Sequence, residues 1–398
     1  MKYVLMVGDG MADRPVRELG GKTPLMEAHT PNLDFLAVHG HLGTAVTIPA
    51  ASPEAGSDVG NLSILGYDPV AHACGRGPLE AANMGIELGP EDVAYRCNLI
   101  TRDGDRMADY CAGHITTDEA RVLIEAVGAR LGRPGIAFHP GVSYRHLLVW
   151  RGGPVGSTCH PPHDFSGGSI GAHWPSGPGA DVLGKLIEDS WAVLEHHPVN
   201  LARIKAGKAP GNSIWFWGQG RPPRFDGLPE RFGVSGVVIS AVDLINGLGR
   251  LVGLTPIRVP GATGYLDSNL SGKSSAALEA LRRHDFAFVH VEAPDEAGHE
   301  GSLSKKIKAI ELFDGQVVGP ILKGLRELGP HRVMVMPDHY TPLEVKTHTR
   351  EPVPFVIYDS GGGVVAGART FSEAAAAQGT WNEIPGSRVI ELLFGTRT

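Results

Sequence analysis

The chain has 398 residues, enough for two or three domains with sizeable cores. Hydrophobic residues make up 42% and charged residues 20%, a globular balance that excludes wholesale disorder. With 36 Lys plus Arg against 43 Asp plus Glu, the formal net charge is −7, which argues against nucleic acid as a partner.

The 54 glycines and 30 prolines are dispersed, so they read as many tight loops between short elements rather than a low-complexity repeat. The four cysteines, Cys74, Cys97, Cys111 and Cys159, form no C-x-x-C pair and no disulfide framework. A reducing, cytoplasmic location is expected. The N-terminal apolar run is too short for a signal peptide, and no stretch is long and apolar enough for a membrane span.

In chain order, the apolar run 3–7 predicts a buried strand that ends in Gly8-Asp9-Gly10. Val93 opens a predicted strand that runs to 101, followed by a helix that starts at Thr116-Thr117-Asp118-Glu119 and continues to 131. A strand over 145–150, a loop rich in Gly, Pro and His over 152–179, and a helix over 180–197 follow. Then comes a strand over 236–240, with a helix from 241 to 248 that Gly249 is expected to stop. Strands are predicted over 286–291, 332–336 and 354–358, with one helix spanning 307–328. Repeated strand, acidic loop and helix predict an α/β fold with a mostly parallel sheet and helices on both faces. The middle segment predicts an inserted, smaller α+β domain. Its expected bounds are 74–210, leaving 1–73 and 211–398 as the discontinuous main domain.

Acidic and imidazole side chains recur where the predicted strands end. Asp9 follows the first strand, Asp295 and His299 lie four apart in PDEAGHEG, Asp338-His339 follows a strand, and His348 lies in KTHTREPVPF. A parallel sheet gathers the carboxyl ends of its strands at one edge. Three carboxylates and three imidazoles there form a ligand set for divalent transition metals, more than one tetrahedral ion needs. Two metals would use them, an arrangement typical of phosphoryl transfer. Singly, each of these residues is more often a turn, helix-cap or solvent-facing residue than a metal ligand.

The segment PEAGSDVGNLSILGYDP can open a helix near Ser57. A serine there usually caps the helix. It can also act as a nucleophile, activated by a metal rather than a histidine base, at a helix N-terminus that favours phosphate. Spacing does not choose among Ser52, Ser57 and Ser63.

The segments GDGMAD, GSDVGNLSILGYDP, RGPLEAANMGIELGPEDVAYRCN, IWFWGQG, VISAVDLINGLG, VPGATGY, HVEAPDEAGHEG, MPDHYTP and THTREPVPF span nearly the whole chain. Together they resemble the cofactor-independent phosphoglycerate mutases of the archaeal-type branch, within the alkaline phosphatase superfamily. The resemblance implies an alkaline-phosphatase-like α/β domain carrying an inserted phosphotransferase domain. It implies that Ser57 is transiently phosphorylated, that Asp9, Asp338 and His339 hold one metal beside it, and that Asp295, His299 and His348 hold the other. The implied reaction moves phosphate from 3-phosphoglycerate to Ser57 and back to the other hydroxyl of the bound glycerate, with closure of the two domains keeping water out. The expected metals are manganese foremost, or magnesium, cobalt or zinc, and no nucleotide is expected, because no G-x-x-x-x-G-K-[ST] is present.

Lys273, in SGKSS, is expected to help neutralise the transferring phosphate, although a surface lysine is the commoner case. Arg76, Arg96 and Arg145 are candidates for the substrate carboxylate, because an arginine fork is bidentate. His163 and Asp164, in PPHD, are candidates for the glycerate hydroxyls. One segment departs from the resemblance. Where many relatives have a stretch like DRRAGRI, this chain reads Asp109-Tyr110-Cys111-Ala112-Gly113-His114. That departure motivates an alternative, a metal-dependent phosphotransferase or phosphatase acting on another small phosphorylated metabolite.

Overall fold

A computed structural model describes residues 1–52, 55–224, 226–362 and 370–395. In chain order its strands are β1 (Lys2–Gly8), β2 (His41–Val46), β3 (Val93–Asp103), β4 (Arg106–Asp109), β5 (Ile136–Val142), β6 (Arg145–Trp150), β7 (Ser213–Gly220), β8 (Gly236–Ile239), β9 (Thr255–Pro256), β10 (Phe286–Val291), β11 (His331–Met336), β12 (Val353–Asp359) and β13 (Trp381–Pro385). The chain divides into two compact units: Met1–Ala73 with Phe225–Thr398, and Cys74–Arg224.

The first unit holds an eight-stranded sheet in the order β13-β2-β12-β11-β1-β10-β8-β9. Its centre is parallel: β1 lies between β10 and β11, and β8 continues beyond β10. Val4, Leu5, Met6 and Val7 are all fully buried, so both faces of β1 are covered, as continuous apolar runs require. β12 runs against both of its neighbours. The reason is local: residues 337–352 form no helix, and a parallel return needs a crossover, usually helical.

Two predicted helices differ in detail. The expected helix over 307–328 is divided into Leu303–Phe313, a π-helical turn Asp314–Val318 and Gly319–Leu328. Asp314 occupies the turn, and its carboxylate accepts from the Leu33 and Asn32 amides. The helix after β8 spans Asp243–Leu251 and passes through Gly249 rather than stopping there. A Cβ at Gly249 would meet Val238 Cγ1 at 2.4 Å, so this glycine serves close helix–strand packing.

The second unit is built on antiparallel pairs, with β3 bonded to β4, β6 and β7, and β5 bonded to β6. The helices Thr117–Leu131 and Ala180–Leu194 supply Leu123, Ile124, Val127, Leu183, Leu186 and Ile187 to one core with Tyr95, Leu99, Trp215 and Phe216. Thr116 and Glu119 form the capping box that their spacing predicts. This unit runs past the expected boundary at 210. β7 pairs with β3 from Ala94 to Ile100 and buries Trp215 and Phe216, so its backbone bonds and its rings both belong here. No helix among the described residues is long and apolar enough to cross a membrane.

Candidate active site

The register of the first sheet sets the site. Gly8 pairs with Val291, and Val7 pairs with Met336, so β1, β10 and β11 end side by side. Asp9 follows β1, Asp338 and His339 follow β11, and Asp295 and His299 lie on the helix Ala293–Glu300 that follows β10. The four-residue spacing puts those last two on one helix face. His348 returns to the same edge through the bridge between Tyr340 and Thr349.

The predicted ligands fall into two groups, Asp9 with Asp338 and His339, and Asp295 with His299 and His348. Within each group one potential ligand atom per residue lies within 4.8 Å of the others. The groups adjoin: the His339 and His348 rings are 4.1 Å apart between centroids. His339 Nε2 is 3.3 Å from Asp9 Oδ1 and 3.4 Å from Asp338 Oδ2. His299 Nε2 is 3.1 Å from Asp295 Oδ2 and 3.0 Å from His348 Nε2.

The donor set fits divalent metal ions. All three imidazoles turn Nε2 inward, because each Nδ1 is engaged elsewhere: His299 with the Lys346 carbonyl at 3.0 Å, His348 with the Ala55 carbonyl at 3.0 Å, and His339 with the Thr341 hydroxyl at 3.2 Å. Asp9 Oδ1 is buried without a hydrogen-bond partner. Burial, with the charges of Asp338 and Asp295 alongside, pushes the Asp9 carboxyl well above its usual range. An ionised Asp9 at this position therefore calls for a cation. Burial acts on Asp295 in the same direction, but its hydrogen bonds with His299 and His348 bring it well below the usual range.

Ser57 opens the helix Ser57–Ile64, whose N-cap is Gly56, so the serine hydroxyl is not the cap. Its Oγ lies 3.1 Å from His339 Nε2. Ser63 faces away: a Cβ at Gly386 would meet its Oγ at 2.4 Å. Ser52 is buried in the preceding loop, where its carbonyl accepts from Arg350. Two glycines allow the close approach. A Cβ at Gly60 would stand 2.6 Å from the Asp338 carbonyl oxygen. Gly10 has φ +57 and faces Thr341 Oγ1 and Asp295 Oδ1, so a side chain there meets both strain and collision.

Several residues of the site carry no signal of their own in the sequence. Asn61 Nδ2 donates to Asp338 Oδ2 at 2.7 Å and to the Ser57 carbonyl at 2.8 Å, tying the serine helix to β11. Thr341 donates to Asp295. Lys306, fully buried, donates to Asp13 Oδ2 at 2.7 Å and to the carbonyls of Ala12 and Thr341, bracing the loops after β1 and β11. Lys273 is a correction to the surface reading: it is 1% exposed, and its Nζ donates to the His290 carbonyl at 2.8 Å. Burial lowers its pKa to about 8, against the pull of Glu292, whose own carboxyl burial raises to about 8.

The substrate-site candidates lie in the second unit, and three of the five converge on one ring. The guanidinium carbons of Arg96 and Arg76 stand 4.7 and 5.7 Å from the Trp217 ring centroid, and the His163 ring stands 5.2 Å away. Arg145 opens β6 and pairs with Asn98, two residues along β3 from Arg96. Burial lowers the Arg96 pKa, and the neighbouring Arg145 and Arg76 lower it further despite Glu80. Asp164 is exposed, with Oδ1 3.5 Å from His163 Nε2. Tyr110 and His114 of the departing segment pack on Tyr144, and Tyr110 also reaches His163.

The family model described as 2,3-bisphosphoglycerate-independent phosphoglycerate mutase matches residues 37–200. A protein of that name from Methanosarcina barkeri is 51% identical over 395 residues, covering 99% of both chains. A Geobacter sulfurreducens protein named as a probable member is 52% identical, covering 99% of this chain and 100% of its own. Among solved structures, the cofactor-independent phosphoglycerate mutase of Thermoplasma acidophilum is 29% identical with a TM-score of 0.71, covering 99% of each chain. A Pyrococcus horikoshii protein is 31% identical with a TM-score of 0.83, covering 100% of this chain and 99% of its own. Matched end to end by relatives that share half of its residues, the chain belongs to the 2,3-bisphosphoglycerate-independent phosphoglycerate mutases.

Proposed function

We propose that this chain interconverts 3-phosphoglycerate and 2-phosphoglycerate through a phosphoserine at Ser57, in a site that holds two divalent cations, manganese foremost and magnesium, cobalt or zinc otherwise. The observation that carries this reading is the Ser57 hydroxyl 3.1 Å from His339 Nε2, at the N-terminus of a helix and beside two groups of Asp and His residues whose ligand atoms could hold metal ions. Asp9, Asp338 and His339 would hold one ion with Ser57, and Asp295, His299 and His348 the other. When bound, the ions supply Lewis-acid charge that ionises the serine and offsets the charge of the transferring phosphoryl group.

The rest is the work of the chain. Ser57 Oγ attacks phosphorus, forming the serine ester as the bond to the 3-oxygen of the substrate breaks, and the proton given up by Ser57 ends on that 3-oxygen, leaving glycerate. The 2-hydroxyl of the retained glycerate then attacks the phosphoserine, and its proton ends on Ser57 Oγ as the bond to the serine breaks, which restores the free hydroxyl. Amides in the first turn of Ser57–Ile64 favour the phosphate. Lys273, beside Glu292, tempers the negative field under the site. In the second unit, Arg76, Arg96 and Arg145 suit the substrate carboxylate, and His163 with Asp164 suits the glycerate hydroxyls.

A second reading rests on Tyr110 and His114, which pack on His163 and Tyr144 at positions where the resemblance leads one to expect arginines. It is transfer or hydrolysis on another small phosphorylated metabolite. One assay separates them. The manganese-loaded chain is given 3-phosphoglycerate without nucleotide or bisphosphoglycerate, and 2-phosphoglycerate and free phosphate are followed together. Formation of 2-phosphoglycerate without phosphate release is expected. Neither product, from a chain that holds its metals, overturns the mutase reading.

A further inference from the structure

β10 reads FAFVHV, so His290 is the one polar residue in a strand that is buried throughout. A buried polar group costs free energy unless it is partnered, so its presence needs a cause. The sheet register provides one. On one side, Val289 pairs with Ile239, which places His290 beside Ser240 at the end of β8. On the other, His290 pairs with Val7, and Asp9 lies two residues further along, on the same face as Val7.

Both ring nitrogens meet a defined neighbour. Nδ1 is 3.3 Å from Ser240 Oγ, and Nε2 is 3.1 Å from Asp9 Oδ2. Ser240 Oγ already accepts from the Val242 amide at 3.0 Å, which leaves its own proton for Nδ1. Asn246 Nδ2 donates to the Ser240 carbonyl at 3.1 Å and the Lys273 ammonium donates to the His290 carbonyl at 2.8 Å, so the backbone of both residues is held as well. Asp9 can hold a cation only as the carboxylate, which only accepts, so in that state the Nε2 facing Asp9 carries the proton. The N–H is at hydrogen-bond distance but off the line of an aligned bond, so it acts mainly as a positive dipole against Oδ2. The two oxygens of Asp9 are thereby divided. Oδ2 faces His290, and Oδ1 faces His339 and has no hydrogen bond.

We propose that His290 is a positioning residue, oriented by Ser240, that holds the Asp9 carboxylate with Oδ1 turned toward the metal-binding group it forms with Asp338 and His339. This rests on the metal reading given above. Outer partners of this kind fix the direction of a ligand's lone pair, and their loss typically costs about 10–100-fold in metal affinity.

The test is a Mn²⁺ titration of the metal-stripped full chain, read by the electron paramagnetic resonance of the free ion. Asp338→Ala and His299→Ala chains assign the two binding steps. His290→Leu is expected to weaken the step that Asp338→Ala removes by about 10–100-fold and to leave the other step unchanged. His290→Gln, which can present an N–H near the Nε2 position, should recover most of the loss, and Ser240→Ala should weaken the same step less. A His290→Leu chain that binds both ions as the wild type does, or that weakens both steps equally, overturns the positioning role alone. A wild-type chain that takes up no Mn²⁺ overturns the metal reading and this proposal with it. If His290→Leu does not fold, Ser240→Ala decides: selective weakening supports the proposal, and unchanged binding overturns it.

Discussion

Gly60 is pressed against the backbone of Asp338, so close that a Cβ on the glycine would stand 2.6 Å from the aspartate carbonyl oxygen and 3.2 Å from its Cβ. The contact seats the helix Ser57–Ile64 on the end of β11. It sets the distance between the Ser57 hydroxyl and the residues around it. Gly60→Ala must push the helix away, because neither backbone can yield easily. Overpacking of this kind costs about 1–3 kcal/mol. The expected result is a modest fall in melting temperature with a much larger fall in kcat, seen by comparing thermal melts with mutase assays.

Ser57→Ala should abolish mutase turnover, by roughly 10⁴-fold or more, as removal of a covalent nucleophile does. Its melting temperature should remain close to wild type, and the ion assigned to Asp295, His299 and His348 should bind as before, while the ion that Ser57 shares binds more weakly. Ser63→Ala should retain most of its activity, because that hydroxyl faces Gly386. Mass spectrometry of the acid-quenched reaction locates the phosphate. A phosphorylated peptide that excludes Ser57 would sink the assignment.

Metal removal should lower stability as well as activity. Without a cation, burial and the neighbouring charges of Asp338 and Asp295 push the Asp9 carboxyl well above its usual range, so its ionised form is destabilised there. An ion that binds only the folded chain contributes about 2.7 kcal/mol at a hundred times its Kd. The melting temperature of the chelated protein should therefore rise with added Mn²⁺. A melting temperature indifferent to Mn²⁺ would contradict this.

Arg96→Ala should lower kcat/KM for 3-phosphoglycerate by about 1.5–3 kcal/mol, the range for a hydrogen bond to a charged group. Arg96→Lys should not restore it, because an ammonium lacks the fork and stacks less well on Trp217. Steady-state kinetics on both variants check this, with no change in Mn²⁺ binding.

His146 provides a pH test far from the metal-binding groups in sequence. It is fully buried in β6, and burial lowers its pKa to about 3 from the usual 6.5. Below pH 6.5 the unfolded chain takes up a proton that the folded chain refuses. Stability is therefore lost as the pH falls from about 6.5 towards 3, at about 1.4 kcal/mol per unit, and this contribution is complete above 6.5. His146→Asn keeps an acceptor for the Gly141 amide that now donates to Nδ1. Urea unfolding of this variant should show a shallower loss of stability in acid than the wild type.

The residues that end the central strands were readable from sequence because their neighbours are so regular. Apolar runs that stop at Asp9, before Glu292 and before Asp338-His339 declare buried parallel strands, and parallel strands share one functional edge. The same logic named the six residues that the structure gathers into two groups able to hold a metal. The choice among Ser52, Ser57 and Ser63 was left open by spacing and made only by family resemblance. The fold itself adds the hydroxyl of Ser57 against His339.

Local pattern determined the chain's α/β character, its strand ends and the helix caps, since each depends on neighbours a few residues away. What needed the tertiary structure depends on register between segments far apart in sequence. β7 joins the second unit because its ladder to β3 and its tryptophans bury there, past the expected boundary near 210. Sequence leaves Lys273 between a phosphate-neutralising role and an ordinary surface lysine, and only the sheet shows it buried with its ammonium on the His290 carbonyl. Asn61, Thr341 and His290 are ordinary residues in the sequence. They gain their roles from which side chains three adjacent strands bring to one edge, and no pattern of nearby residues encodes that.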